Sequence, residues 1–83
     1  MGIVKQNQEV MKVQNHLDVN FLKTEVGTVV EYPDKSKEQV VYKTTDKVGD
    51  YFLTQIQTNN IKKNGEVGKL TSWLKFRHYE LAQ

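Results

Sequence analysis

Eighty-three residues, no cysteine and a net charge of +2 describe one small domain spanning 1–83. A chain this short buries only about 60 to 65% of its unfolded surface, and without cysteine it has no disulfides, thiolate nucleophiles, Cys-ligated zinc or iron–sulfur clusters. No apolar run approaches the roughly 20 residues that span a bilayer, and residues 1–14 are polar where a secretory signal is basic and then apolar, so a soluble, unprocessed cytoplasmic protein with no membrane partner is expected.

Hydrophobic residues make up 37% of the chain and charged residues 27%, which is enough for a packed globule and unlike a disordered tail. Val, Thr and aromatic residues prevail and Ala82 is the only alanine, a balance that disfavours helices. Eleven lysines against one arginine, with abundant Asn and Gln, point to A/T-rich codons and would suit a bacterial or phage accessory protein.

Residues 8–23 fit an amphipathic helix (Val10, Val13 or Gln14, Leu17, Phe21) or a strand with Leu17, Val19 and Phe21 on one face. The alternation Leu17-Asp18-Val19-Asn20-Phe21 favours the strand, and a short N-terminal helix is the alternative. Residues 25–32 (EVGTVVEY) alternate with Val26, Thr28, Val30 and Tyr32 on one face. Residues 33–37 hold a turn-forming Pro33-Asp34 and two lysines, and residues 38–44 (EQVVYKT) resume the pattern as the second arm of a hairpin. A polar connection, 45–50, leads to YFLTQIQT at 51–58.

Asn64-Gly65 is the strongest local signal, because such a pair supplies the two positive-φ residues of a type I′ hairpin turn. It predicts Lys63 opposite Glu66, and hence Ile56 opposite Trp73, Leu53 opposite Phe76 and Tyr51 opposite His78. The second arm runs over 70–79, and Gly68 marks a bulge or a close backbone approach. A competing helix from Asp50 to Lys63 would end on Asn64-Gly65, but Thr54, Thr58, Asn59 and Asn60 are poor helix formers. Four strands and a fifth near the N-terminus make a mainly β antiparallel meander. A meander this small must cover its apolar face and hide its edges, so closure into an SH3-like or OB-like barrel of about five strands is expected, with a homodimer across an edge strand as the other solution.

Charge is unevenly placed: residues 1–60 carry net −1 and residues 61–83 net +3. Alternation puts Trp73, Lys75, Arg77 and Tyr79 on one face of the last arm, opposite Leu74, Phe76 and His78. If the second trio packs the core, the first four form a basic and aromatic strip, with Lys62, Lys63 and Lys69 at its margin. Cations bind phosphates and rings stack on bases, so nucleic acid is the partner this strip predicts. The competing account makes Trp73 a core residue against Ile56 and the lysines a solvated surface.

Two i, i+2 pairs, His16 with Asp18 and His78 with Glu80, have the spacing of metal ligands on strands, but two rim histidines beside ordinary acids is the simpler account, and no metal is expected. Asp46 and Asp50 lack the ligand density of a calcium loop. Ser36 and Ser72 sit outside any G-x-S-x-G elbow, and Gly65-x-x-Gly68-Lys69 lacks P-loop spacing. The chain therefore reads as a cofactor-free binding module and not an enzyme. The alternative partner is a protein, with the chain acting as a regulator, inhibitor or assembly subunit through an edge strand or the Asn-Gly ribbon.

Overall fold

The computed structural model describes residues 10–79, a five-stranded mixed sheet with one short helix. The strands are β1 (Val10–Lys12), β2 (Val29–Glu31), β3 (Lys37–Val48), β4 (Tyr51–Ile61) and β5 (Val67–His78), and they lie side by side in chain order. β2 to β5 form an antiparallel meander, whereas β1 pairs with β2 in parallel. A parallel neighbour cannot be reached by a tight turn. The connecting residues 13–28 therefore cross the sheet and carry a 3-10 helix, Val19–Lys23.

This crossing takes the place of the expected barrel. β1 and β5 are the two edges and do not pair, so the sheet is open. Its apolar face is covered instead by Val13 and Phe21, which pack with Val30, Val40, Ile56, Leu74 and Phe76 in one buried cluster. Full burial of a side chain such as Phe21 contributes about 2 to 3 kcal/mol. Asp18 starts the helix by accepting hydrogen bonds from the N–H groups of Asn20 (2.9 Å) and Gln14 (2.8 Å). Lys43 holds its far end: the ammonium group rises from β3 and donates to the carbonyls of Leu22 (2.8 Å) and Thr24 (2.6 Å). Burial pulls the Lys43 pKa below the ordinary lysine value.

Of the strand favoured within residues 8–23 only Val10–Lys12 forms; the alternating stretch Leu17–Phe21 runs into the 3-10 helix instead, and only Phe21 of its three apolar residues is buried, with Leu17 80% exposed. A period of three per turn places Phe21 and Thr24 on the covered side. The strand expected over 25–32 is confined to Val29–Glu31, because Glu25 and Thr28 close a turn (2.9 Å) and Val26 is exposed. No helix forms over 50–63.

All three hairpin turns have defined geometry. β3 and β4 are joined by only two residues, Gly49-Asp50, with φ +61° at Gly49, so the polar connection expected at 45–50 is mostly strand. Gly first with an ordinary second residue is the pattern of a type II′ turn. The Asn64-Gly65 turn is not the predicted I′ type. Positive φ falls on Gly65 alone (+90°), Gly65 N–H donates to Lys62 O, and Lys62 N–H donates to Glu66 O (both 2.8 Å), which defines a three-residue loop. Pro33-Asp34-Lys35 repeats this loop, with Tyr32 and Ser36 at its ends.

The register of the last hairpin differs accordingly. Ile56 lies opposite Leu74, Gln57 opposite Trp73, Leu53 opposite Arg77 and Phe52 opposite His78. Between Asn59–Thr71 and Ile61–Val67 three residues of β5 face one of β4, so Gly68 does sit at a bulge. The side chains of Asn59 and Asn60 tie it together: Asn59 Nδ2 donates to Gly68 O (3.1 Å) and Leu70 N–H donates to Asn60 Oδ1 (3.0 Å). No helix among the described residues is long and apolar enough to cross a membrane.

Candidate functional site

Among the described residues, no element packs across the face of β3, β4 and β5 turned away from the core. Trp73 is 57% and Tyr79 66% exposed there, while Leu74 and Phe76 between them are buried. The strip Trp73, Lys75, Arg77 and Tyr79 therefore does share one open face, and Trp73 is not the core partner of Ile56.

Cross-strand pairing arranges this face in rows. Tyr42, Gln57 and Trp73 form one row, and the rings of Tyr42 and Trp73 meet edge-on across β4 with centroids 5.9 Å apart. Thr44, Gln55 and Lys75 form the next, followed by Asp46, Leu53 and Arg77. The Arg77 guanidinium lies 4.5 Å over the Tyr51 ring, which in turn meets Tyr79 edge-on at 6.3 Å. Aromatic groups thus stand at both ends of the strip with Lys75 between them. Stacking on Tyr51 fixes the Arg77 plane while leaving its donors available. Tyr42 and Tyr51 complete the aromatic set, and sequence alternation within β5 could not reveal them because they come from other strands.

Lys62, Lys63 and Lys69 are exposed as well. The Lys62 and Lys63 loop lies beside the Lys35 loop, and a groove of about 460 Å³ between them is lined by Lys35, Lys37, Lys62 and Lys63 together with Asp34 and Ile61. Alternate turns of a meander fall at the same end of the sheet, a signal that could have placed Lys35 and Lys37 with the other two. Asp34 does not neutralise this end by pairing with lysine. Its carboxylate accepts from the Ser36 hydroxyl (2.6 Å) and the Ser36 N–H (2.9 Å), which lower its pKa.

The opposite, covered face holds a second constellation. Glu38 Oε1 accepts hydrogen bonds from the Tyr32 hydroxyl (2.7 Å) and the Thr58 hydroxyl (2.8 Å). His16 Nε2 lies 3.4 Å from both carboxylate oxygens. Burial, the hydrogen bond to Glu38 and the nearby Glu38 charge all push the Tyr32 pKa up. A groove of about 440 Å³ opens above these groups, walled also by Gln14, Asn15, Pro33, Asp34 and Ser36.

Among the described residues no hydrogen bond or ion pair joins His16 to Asp18. His16 approaches Glu38 while Asp18 caps the helix; His78 stacks on Phe52 at 5.7 Å and shares a 2.8 Å hydrogen bond with the Thr54 hydroxyl. Glu80 lies outside the described residues. No group of three or more metal-ligating side chains occurs among the described residues. Comparison with protein-family models, curated proteins and solved structures finds no match for this chain.

Proposed function

We propose that this chain is a non-enzymatic binding module that holds single-stranded nucleic acid across the open face of β3 to β5. The observation that carries the reading is the exposure of Trp73 and Tyr79 on the same face as Lys75 and Arg77. Six residues of strand separate the two rings by about 20 Å, a span of several nucleotides. Each base stacked on an aromatic ring contributes roughly 1 to 3 kcal/mol, and the cations between the rings take the phosphates. Lys62, Lys63 and Lys69, with Lys35 and Lys37, extend the positive surface beyond the strip. The absence of cysteine suits action in a reducing cytoplasm.

Fluorescence of Trp73, the only tryptophan, tests this directly. Titration with a mixed-sequence single-stranded oligonucleotide should quench it, and binding should weaken as salt rises. Replacing both Lys75 and Arg77 with Ala should flatten the slope of log K against log salt by about 1.4, at roughly 0.7 per phosphate contact. Emission indifferent to the oligonucleotide overturns the proposal.

A protein partner is the second reading, favoured by the outer edge of β5, which pairs with no other strand among the described residues. That edge runs for 12 residues with Leu70 75% exposed along it, and an unpaired strand edge is a template for an added strand from a partner or a second copy. A stoichiometric complex that survives nuclease treatment would support it.

A further inference from the structure

We propose that the groove above Glu38 is a binding site for an organic cation, a guanidinium or primary ammonium group, with Glu38 as its counter-ion. The inference is independent of the nucleic-acid reading, because Glu38 shares the covered face with Val40 and Thr58, opposite the Trp73 strip.

The Glu38 side chain is only 17% exposed, yet its two short hydrogen bonds come from neutral hydroxyls. Among the described residues no lysine or arginine comes within 4.0 Å of it, and the one ion-pair partner is His16. At 3.4 Å that contact is long; a fitted N–H to carboxylate bond measures about 2.7 to 2.9 Å. A carboxylate taken largely out of water without a fixed cation is incompletely compensated. Both short bonds fall on Oε1, and among the described residues only His16 approaches Oε2.

The walls fit the same charge. Asp34 adds a second carboxylate, Gln14 offers an amide oxygen, and no lysine lines the groove, while the Asn15 oxygen already accepts the Leu17 N–H (2.8 Å) and the Tyr32 ring faces His16. His16 is the one lining group able to become cationic; its side chain is 45% exposed, meets the Tyr32 ring edge-on at 5.4 Å and reaches Glu38 only at 3.4 Å. The imidazole thus occupies the place of the ligand cation loosely, as a resident competitor. A volume of about 440 Å³ admits an alkylguanidinium with its chain along Pro33.

The test is an NMR titration of the full chain with ethylguanidinium chloride, matched against sodium chloride, following the ring signals of His16 and Tyr32. Saturable shifts are expected, weakened at least about tenfold in Glu38→Gln, since one charge-assisted contact is lost. Equal affinity in Glu38→Gln, or shifts that sodium chloride reproduces, overturns the site. His16→Ser leaves Glu38 and both hydroxyl donors in place, which keeps the question answerable if Glu38→Gln fails to fold. It should bind ethylguanidinium more tightly than the parent, and no gain in affinity overturns the assignment. n-Butylammonium and a blocked Gly-Arg-Gly peptide then separate the sources. Tighter binding of the peptide identifies a protein side chain as ligand, whereas parity among the probes identifies a free organic cation.

Discussion

Lys35 and Gly65 hold equivalent positions in two hairpin loops of the same design. Each is the third loop residue, its N–H donates to the residue three before it, and its φ is positive, +76° at Lys35 and +90° at Gly65. Asp34 and Asn64 are equivalent too, each accepting the N–H two residues on, at 2.9 and 3.0 Å. Only Gly adopts positive φ without a Cβ penalty, which for other residues is about 1 kcal/mol. Lys35→Gly should therefore raise stability by about 0.5 to 1 kcal/mol and Gly65→Ala lower it by a similar amount, read as opposite shifts of the urea midpoint.

At Gly68 the constraint is space. A Cβ there would lie 2.8 Å from the Asn60 side-chain carbon, and that side chain is pinned by Leu70 N–H. Gly68→Ala should cost about 1 to 3 kcal/mol, as overpacking does. Much of the loss should disappear in the Gly68→Ala, Asn60→Ala double variant, so a double-mutant cycle gives a coupling energy well away from zero.

Tyr32 makes stability sensitive to alkali. Its folded-state pKa is raised above the ordinary value near 10, so above that pH the unfolded chain gives up the phenolic proton more readily than the folded one. The contribution is complete below about pH 10 and is lost as pH rises further. Thermal melts should show a steeper alkaline decline in the parent than in Tyr32→Phe, whose curve should be flatter above pH 10.

Lys43 joins the sheet to its cover. Lys43→Met keeps much of the apolar stem and removes two charge-assisted hydrogen bonds, leaving the carbonyls of Leu22 and Thr24 short of donors. The expected loss is about 1.5 to 3 kcal/mol. Hydrogen exchange should quicken first at the amides of residues 19–24, ahead of those in β4.

Alternation within single strands was the legible part of this fold. Trp73 and Lys75 outside with Leu74 and Phe76 inside follows from β5 read alone, because successive side chains point to opposite faces whatever the neighbour does. Register across strands was less legible: one positive-φ residue where the Asn-Gly signal implies two lengthens the loop, and the bulge at Gly68 shifts every pair beyond it. The crossing segment was hidden because a single turn of 3-10 helix buries only Phe21 and Thr24, too few for a period to emerge. The Glu38 site was hidden for another reason. His16, Tyr32, Glu38 and Thr58 come from four separate segments that only the completed sheet gathers.

The parallel placement of β1 has a consequence for the order of events at the ribosome. β3, β4 and β5 are joined by loops of a few residues and can zip together locally, whereas β1 and the Phe21 segment dock on strands made after them. Contacts closed over short spans form faster than those closed over long ones. β1 and the Phe21 segment are therefore the last of the described elements to find their place. Until Leu74 and Phe76 are in place on β5, Phe21 lacks the floor on which it rests.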